Sequence, residues 1–344
     1  MSSVQTTTIV GAGIAGLTAA LALARKGVRA TIIEQAPALD EVGAGLQLSP
    51  NASRILADLG LADALGARWS EPDHILLASG LSLAPLASVP AGPAARNRWG
   101  APYGVLHRAS LQAVLLEAVR HEPLCTLRMS ERIEDRQTAL AAAPADMLIA
   151  ADGVWSQLRK EVPGALPVRY SGNVAWRFVV PYGLAPAFLS PRAVTAFLGP
   201  HAHFVAYPLA ELEAFNIVAI HAQKEASPEG WRRRGDVAAR ENLHKAFAGW
   251  HADIRRLLEK AHDPLIWPLF GCADGAWTDG KTVLIGDAAH AMTPFAAQGA
   301  AMAIEDAALL ANMLAGAADT PQARQLYETM ARELAFDPRQ TRRA

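Results

Sequence analysis

The stretch that decides the fold is residues 6–34, TTTIVGAGIAGLTAALALARKGVRATIIE. It begins with a β-branched run, Thr6–Val10, which predicts a buried strand. The glycine-rich segment 11–16 follows at once, and apolar residues then recur at helical spacing until Gly27, where a helix is expected to end. Residues 28–34 predict a second strand. This order is a βαβ unit, which implies a parallel sheet with helices on its faces.

The glycine-rich turn predicts a site for the pyrophosphate of a dinucleotide. Gly11 allows the tight turn, Gly13 lets the backbone approach the phosphates, and Gly16 permits close packing of helix on strand. The N-terminus of the helix offers free N–H groups and a partial positive charge. Glu34 ends the second strand 18 residues after Gly16, where its carboxylate can hydrogen-bond a ribose diol and repels a 2′-phosphate. The site therefore favours FAD or NAD over NADP; the alternative is a glycine-rich turn in an alanine-rich packing region.

A second segment, residues 282–308, points to a cofactor as well. A buried strand ends at Gly286-Asp287, and a helix starts about a dozen residues later. A carboxylate at a strand end can accept hydrogen bonds from a sugar or ribityl hydroxyl. Gly299 and its small neighbours let a cofactor lie close to the helix N-terminus. A Gly-Asp pair is common, and its plain alternative is a turn that ends a strand.

Composition excludes several classes of function. The chain has 344 residues, 51% of them hydrophobic, which suffices for a large core and about two domains. The 32 basic and 33 acidic residues leave no electrostatic footprint for nucleic acid or an anionic membrane. Cys125 and Cys272 form neither a disulfide framework nor a CxxC pair, so a reducing, cytoplasmic compartment fits. The most apolar window, 8–24, lacks a basic flank and is interrupted by glycines, which favours a buried strand and helix over a signal peptide or membrane span.

The pattern of the chain changes near residue 168. Apolar and polar residues then alternate between turn signals, as they do in antiparallel strands. The sequence therefore predicts an α/β fold made of a Rossmann-like nucleotide-binding domain and an inserted β-rich (α+β) substrate domain. The nucleotide-binding domain is expected in three pieces, residues 1–70, 105–165 and 275–320. The substrate domain is expected at 168–270, between the second and third pieces, and residues 71–104 are a candidate addition to the substrate domain.

Three motifs together resemble the fingerprints of the single-component FAD-dependent aromatic hydroxylases: GAGIAGL at 11–17 with Glu34, ADGVWSQLR at 151–159, and GDAAHAMTPFAAQGAAMAIEDA at 286–307. The resemblance covers essentially the whole chain. Further segments are similar to the salicylate, 3-hydroxybenzoate and 6-hydroxynicotinate hydroxylase branch, namely 42–56, 106–111, 173–178 and Gln298-Gly299. Members of this family continue further beyond the last motif, so residues 321–344 are expected to form a short, truncated C-terminal helix.

The resemblance implies a monooxygenase with non-covalent FAD and with NADH or NADPH as a transient co-substrate. In this family, reduced flavin and O₂ give a C4a-hydroperoxide that hydroxylates an aromatic ring, here a small aromatic (hydroxy)acid. No second GxGxxG follows a strand, so the nicotinamide is expected to dock without a Rossmann domain of its own. Two alternatives stay open: a hydroxylase of a larger polyketide or quinone-type ring, and a catalytically impaired FAD-binding protein lacking the C-terminal segment. The sequence leaves the substrate, the choice of nicotinamide and the oligomeric state undecided.

Carried over position by position, the resemblance also implies cofactor contacts. The pyrophosphate would lie on the glycine-rich turn and the adenosine ribose on Glu34, while the ribityl chain would contact the Gly-Asp corner. The implied residues are Gly11, Gly13, Ala15 and Gly16 for the pyrophosphate, Arg108 and Asp152-Gly153 for further cofactor contacts, Gly286 and Asp287 for the ribityl chain, and Pro294, Gly299 and Ala300 facing the isoalloxazine ring. The alternatives are a solvated arginine at a helix start for Arg108 and a simple turn for Asp152-Gly153.

Candidate catalytic residues lie in the insert, on the strand predicted at 201–208. Positions 203, 205 and 207 of a strand share a face, so His203 and Tyr207 would line one wall. Histidine can take a phenolic proton near neutral pH and tyrosine can donate a hydrogen bond. Gln298 is the third candidate contact, through its amide. The alternative is an exposed histidine and a core tyrosine.

Other polar and aromatic residues are interpreted structurally. His201 and His203 have no third ligand at a suitable spacing, so no metal site is predicted. His290 is interpreted as a structural or cofactor-side residue. Several tryptophans are expected in the core: Trp176, Trp231, Trp250, Trp267 and Trp277.

Overall fold

A computed structural model describes the chain over residues 4–39, 45–225, 233–234, 237–261, 264–272, 275–279 and 282–316. In these ranges the strands are β1 (Thr6–Val10), β2 (Arg29–Ile33), β3 (Gly45–Leu48), β4 (His74–Ser79), β5 (Pro85–Pro90), β6 (Gly104–His107), β7 (Cys125–Arg128), β8 (Met147–Ala150), β9 (Val168–Pro181), β10 (Ala193–Gly199), β11 (Ala202–Leu209), β12 (Ala214–Ala222), β13 (Arg233–Arg234), β14 (Leu265–Cys272), β15 (Thr278–Asp279) and β16 (Thr282–Leu284). The helices are α1 (Ile14–Ala24), α2 (Pro50–Asp58), α3 (Ala62–Gly66), α4 (Pro93–Trp99), α5 (Arg108–His121), α6 (Arg136–Ala142), α7 (Val237–Ala246), α8 (Ala252–Glu259), α9 (Asp287–His290) and α10 (Gly299–Gly316).

The first sheet is mainly parallel and has the order β15-β16-β8-β1-β2-β7. Only the β15–β16 pair, at one edge, is antiparallel. Strand β1 is central, which explains why its residues after Thr6 are all buried although three of the five are threonines. Helix α1 is apolar on nearly all sides because it packs against the sheet and against α5 and α10. The predicted α/β class with a βαβ start is confirmed.

The connection from β1 to α1 leaves no room for a side chain at two of its glycines. Gly11 has φ +104°, and a Cβ atom there would lie 2.3 Å from the carbonyl oxygen of Ala151. A Cβ atom on Gly16 would lie 1.9 Å from the carbonyl oxygen of Gly11. Side chains at these positions would therefore separate the helix from the strand end.

The second sheet has eight strands in the order β13-β14-β9-β12-β11-β10-β4-β5. Its central strands are antiparallel, whereas β4 joins β10 in parallel. Strands β4 and β5, which fall within residues 71–104, are members of this sheet. The antiparallel pattern predicted from alternating residues is present in β9 to β12.

The two faces of this sheet have different environments. Alternate residues such as Trp176, Phe204 and Ile217 form a buried cluster with residues of α7 and α8. Their neighbours in sequence project from the opposite face, where Ala175 and Val218 belong to a separate small cluster. Because the side-chain period of a strand is two, one face is the domain core and the other is free to line a cavity.

Two short strands join the sheets. β3 and β6 pair antiparallel, and the N–H of Gly45 donates to Oδ1 of Asn216 at 2.9 Å. A Cβ atom on Gly45 would lie 2.5 Å from the ring of Tyr207. Glycine at 45 therefore lets the β3 backbone contact the face of the antiparallel sheet that is turned away from α7 and α8.

Most of the predicted tryptophan positions agree with the structure. Trp176, Trp250 and Trp277 are at most 5% exposed. Trp267 differs, because it is only partly buried and lines a cavity between the two sheets. Trp231 and the C-terminal helix predicted at 321–344 lie outside the described residues. Within the described ranges, no helix is both long and apolar enough to span a membrane.

We expect Gly16→Ala and Gly13→Ala to separate packing from binding in the glycine-rich turn. Gly16→Ala places a methyl group against backbone and should lower the free energy of unfolding by about 1–3 kcal/mol. Gly13 has an extended backbone, and a Cβ there meets no atom within 4 Å, so its change should stay within about 0.5 kcal/mol. Urea denaturation of the ligand-free protein measures both. Equal losses in the two variants would contradict the steric account.

Candidate active site

Three adjacent strands of the parallel sheet end at one edge, and each continues into a predicted cofactor motif. β1 leads to the glycine-rich turn, β8 to Asp152-Gly153, and β16 to Gly286-Asp287. The strands are parallel, so their carboxyl ends meet, which is where open α/β sheets bind ligands. The fold thus brings the three motifs together.

The glycine-rich turn leaves room for a ligand. Gly13 lines a cleft of about 300 Å³, and a Cβ atom on it would enter open space. Gly13 is also the N-cap of α1 and supplies no capping side chain, so the first N–H groups of the helix are left for a ligand to satisfy. Ala15 lines the same cleft, whereas Gly11 and Gly16 lie behind it in the packed turn. This arrangement fits a dinucleotide pyrophosphate.

Glu34, just after β2, stabilises the glycine-rich turn through hydrogen bonds. Its carboxylate accepts a hydrogen bond from the N–H of Ala12 and another from the N–H of Ala36, both at 2.8 Å. The side chain is partly exposed, so lone pairs remain for a ribose. Its predicted ribose contact stays a prediction.

Asp152 and Gly153 have different positions in the second motif. Asp152 accepts a hydrogen bond from the N–H of Gln157 at 2.9 Å, and burial raises the pKa of its carboxyl group against the effect of such bonds. Gly153 has φ +77° and lines the cleft. Asp152 thus shapes the turn after β8, and Gly153 is the member that can approach a cofactor.

A buried arginine joins the second motif to the third. Arg159 is 4% exposed and donates to the carbonyl oxygens of Asp287 and Ala288, each at 3.1 Å, as well as to the carbonyl of Val154. The guanidinium fork therefore holds the start of α9 against the turn after β8. This role is not evident from the sequence, in which Arg159 is the last residue of the 151–159 motif.

The Gly-Asp corner is also fixed from α10. Asp306 is 5% exposed; one of its oxygens accepts from the N–H of Gly286 at 2.7 Å and lies 2.6 Å from Nε2 of His290. Burial lowers the pKa of His290, but the negative charges of Asp306 and Asp287 outweigh it and the net shift is upward. The Asp287 side chain is exposed and lines the cleft, where a ribityl hydroxyl could reach it. Asp306 lies on the same helical face as the buried Ala303, a signal that the sequence analysis did not use.

The cleft continues from these motifs to the face of the antiparallel sheet that is turned away from α7 and α8. Its apolar floor includes Val205, Val218 and Ile220, and its other side includes Pro294 and other small residues of the third motif. The predicted residues among its lining are Gly13, Ala15, Arg108, Gly153, His203, Tyr207, Asp287, Pro294, Gly299 and Ala300. Arg177 and Trp267 also line the cleft, although no sequence motif marked them as site residues.

His203 and Tyr207 project into the cleft on either side of Val205. Burial lowers the pKa of His203 to about 4, so the imidazole is neutral at physiological pH. Burial raises the pKa of Tyr207, which is 3% exposed, so the phenol keeps its proton. Among the described residues, the Tyr207 hydroxyl has no hydrogen-bond partner. The cleft thus offers a neutral imidazole and a phenolic donor to a ligand.

Gln298 is held beside the cleft and is not part of its lining. Its Oε1 accepts a hydrogen bond from the hydroxyl of Ser49 at 3.0 Å. Its amide NH₂ group is the part left for a substrate, and that predicted contact stays a prediction. In the part of the chain that the structure describes, no group of three or more His, Cys, Asp or Glu side chains could hold a metal ion.

We expect Asp306→Asn to lower the free energy of unfolding by an amount that depends on pH, because it removes the charged partner of His290. The raised pKa of His290 stabilises the fold fully below the unfolded value of 6.5, and this contribution is lost as pH rises through the folded pKa. Breaking a buried pair costs about 3–5 kcal/mol, so the loss in unfolding free energy should be large at pH 6 and smaller at pH 9. Denaturant unfolding at both pH values measures it. An equal loss at the two pH values would show that the pair is not charged.

Comparison with known proteins identifies the family. The family model described as FAD binding domain matches residues 4–336. A 3-amino-4-hydroxybenzoate 2-monooxygenase of Streptomyces platensis is 38% identical, covering 90% of this chain and 79% of the relative. A 3-hydroxybenzoate 6-hydroxylase of Aquipseudomonas alcaligenes is 36% identical, covering 93% and 83%. A 6-hydroxynicotinate 3-monooxygenase of Pseudomonas fluorescens is 32% identical, covering 95% and 88%.

Solved structures agree with this assignment. HpxO of Klebsiella pneumoniae, complexed with FAD and uric acid, superposes with a TM-score of 0.79 at 25% identity, covering 96% of this chain and 85% of HpxO. A salicylate hydroxylase in complex with its substrate has a TM-score of 0.78 at 21% identity, covering 96% and 86%, and supports the fold. The chain belongs to the FAD-binding-domain family of flavin-dependent aromatic hydroxylases, as the three sequence motifs predicted.

Proposed function

We propose that this protein is a monooxygenase that uses FAD, NAD(P)H and O₂ to hydroxylate a small aromatic acid carrying a hydroxyl group. The observation that carries the proposal is one continuous cleft with two chemically different sides. One side has the glycine turn and strand-end carboxylate that suit a dinucleotide. The other has an apolar floor with a neutral imidazole and a phenol, which suit a small phenolic ring.

Residues of all three motifs would hold the FAD, and Gly153 is the residue of the second motif that lines the cleft. Gly13, Ala15 and the N-terminus of α1 suit the pyrophosphate, and the exposed carboxylate of Asp287 suits the ribityl hydroxyls. Gly299 has open space beyond its backbone, where only Met292 lies within 4 Å of a built Cβ. When bound, the flavin supplies the redox and oxygen chemistry, so the protein's contribution is binding, orientation and proton handling.

His203 is the proposed base. Burial lowers its pKa to about 4, so the imidazole carries no proton at neutral pH and has a nitrogen lone pair for the phenolic proton. The phenolate formed beside it would stabilise the imidazolium by opposite charge. Removal of the proton makes the ring a better nucleophile, which is what oxygen transfer to the ring requires. Tyr207 would donate a hydrogen bond to the substrate and fix its orientation.

Apolar side chains lie next to the proposed base. Phe295 contacts the His203 ring edge-on, with ring centroids 5.0 Å apart, and Val205 and Ile220 form the floor. An apolar enclosure strengthens the polar contacts inside it and limits side reactions. The proposed location is the cytoplasm, on the sequence argument that Cys125 and Cys272 make neither a disulfide framework nor a CxxC pair.

We expect His203→Ala to keep FAD binding and flavin reduction while losing hydroxylation. Removal of a positioned base typically lowers the rate about 10²–10⁴-fold, and more of the NAD(P)H consumed should appear as hydrogen peroxide. Product formed per NAD(P)H oxidised is the measurement. The matched control is His201→Asn, because His201 is exposed in the turn before β11 with φ +57°, a conformation that asparagine tolerates. If His203→Ala forms as much product per NAD(P)H oxidised as the wild type, with the same dependence of hydroxylation on pH, the base lies elsewhere.

Oxidation of NAD(P)H should be slow until an aromatic acid is present. The sequence contains no second strand followed by GxGxxG, so the nicotinamide is expected to dock transiently and reduction to depend on the substrate. Screening hydroxylated aromatic acids and larger phenolic rings for stimulated NAD(P)H oxidation, with product identification, tests the proposal and its larger-ring alternative. Rapid substrate-independent oxidation with stoichiometric peroxide would contradict it.

A further inference from the structure

The short strand β3 presents one of its sides to the cleft. A Cβ atom on Gly45 would lie 2.9 Å from the hydroxyl oxygen of Tyr207, so side chains at alternate positions from residue 45 point toward that tyrosine. Leu46 points the other way and packs against the core of the parallel sheet. Gln47 is therefore on the Tyr207 side of β3, and it lines the cleft.

Tyr103 fixes the orientation of the Gln47 amide. Its hydroxyl donates to Oε1 of Gln47 at 2.5 Å. Tyr103 is buried, and burial raises the pKa of its phenol, so the hydroxyl keeps a proton that needs an acceptor. An amide turned the other way would present a second donor to this hydroxyl. The NH₂ group of Gln47 is thus the part left over, and it has no hydrogen-bond partner among the described residues.

The polar groups of the cleft are separated into an acceptor and donors. His203 offers the lone pair of a neutral imidazole, whereas Tyr207 and Gln47 offer hydrogen atoms. His203 and Tyr207 are four residues apart in β11, which is about 13 Å along the strand. Positions 45 and 47 of β3 are only about 7 Å apart, so one small group can contact both the Tyr207 hydroxyl and the Gln47 amide.

This separation determines how a hydroxylated aromatic acid can lie in the cleft. A phenolic hydroxyl has a proton to donate and suits His203, while an ionised carboxylate has only acceptor oxygens. The carboxylate therefore suits the end of the cleft where Tyr207 and Gln47 donate. The apolar floor at Val205 lies between the two ends, where the ring would rest.

We propose that the NH₂ group of Gln47 donates a hydrogen bond to the carboxylate of the substrate, and that Tyr103 holds the amide in the orientation this requires. The assignment rests on the proposed function and names the residue that selects the substrate's second functional group. Gln47 is then a specificity-determining residue, and Tyr103 is a positioning residue that acts through it.

The first experiment compares 3-hydroxybenzoate with 3-aminophenol, which carries a donor in place of the carboxylate. Both are titrated into FAD-loaded protein, and binding is followed by calorimetry and by the flavin absorbance change. Wild-type protein should bind the acid at least about 10-fold more tightly, because hydrogen bonds to charged groups are the stronger ones. Gln47→Leu should weaken acid binding roughly 10- to 100-fold and change 3-aminophenol binding less than about threefold.

Gln47→Glu tests the direction of the hydrogen bond. It exchanges the NH₂ group for an oxygen of similar size and keeps an acceptor for Tyr103. Repulsion between the two carboxylates should weaken acid binding more than Gln47→Leu does, while 3-aminophenol should bind more tightly than it does to the wild type. The matched control is Gln137→Glu, the same exchange at an exposed residue of α6 outside the cleft lining, which should leave both affinities unchanged.

A double-mutant cycle tests the positioning role of Tyr103. Tyr103→Phe should weaken acid binding about 3- to 10-fold in the wild type and less than about twofold in Gln47→Leu, because its effect passes through the amide. Additive losses, a wild type without preference for the acid, or equal weakening of both ligands in Gln47→Leu would overturn the assignment. Failure of the proposed function would appear differently, as intact acid binding with NAD(P)H oxidation that yields no hydroxylated product.

Discussion

The structure depends on how closely α1 approaches the end of β1. A Cβ atom at residue 16 would lie 1.9 Å from the carbonyl oxygen of Gly11, so no residue with a side chain could keep this turn. The close approach directs the N-terminus of α1 toward the cleft, with Gly13 at its edge. The neighbouring strand ends are fixed relative to this turn by buried polar contacts, through Arg159 on one side and Asp306 on the other. The shape of the predicted dinucleotide site is therefore set by contacts within the protein itself.

The second wall of the cleft follows from strand periodicity. The antiparallel sheet buries one face against α7 and α8 and turns the other toward the parallel sheet. Because this face does not form the domain core, polar side chains are tolerated on it without loss of core packing. His203, Tyr207 and Arg177 are such side chains. Low exposure shapes the chemistry of the first two, because burial keeps His203 unprotonated and Tyr207 protonated at neutral pH.

Local signals in the sequence predicted much of this architecture. Spacing in residues 6–34 predicted the βαβ unit, and a period of two predicted that His203 and Tyr207 share a face. Residues that act across long separations were missed. Arg177 reaches the site only through the pairing of β9 with β12 and of β12 with β11, and a single strand does not reveal its partners. Trp267 was assigned to the core because composition cannot tell a core ring from one at a cavity wall.

The buried contacts of the Gly-Asp corner show a second limit of sequence reasoning. Asp306 is an acidic residue on the buried face of an alanine-rich helix, which signals a buried partner but does not identify it. That partner is 16 residues away at His290, and the backbone of Gly286 is 20 residues away. Gln298 shows the same limit in another way. Its motif suggested a contact with the substrate, whereas in the structure its side-chain oxygen accepts a hydrogen bond from Ser49.

The central claim is that the two sides of one cleft bring a flavin and an aromatic ring together for oxygen transfer. The most direct measurement is turnover of the FAD-loaded protein under ¹⁸O-labelled dioxygen with NAD(P)H and an aromatic acid that stimulates its oxidation. The account predicts a hydroxylated product carrying one labelled oxygen atom, formed in proportion to the NAD(P)H consumed. Label recovered only as hydrogen peroxide, or a product whose new oxygen comes from water, would contradict it.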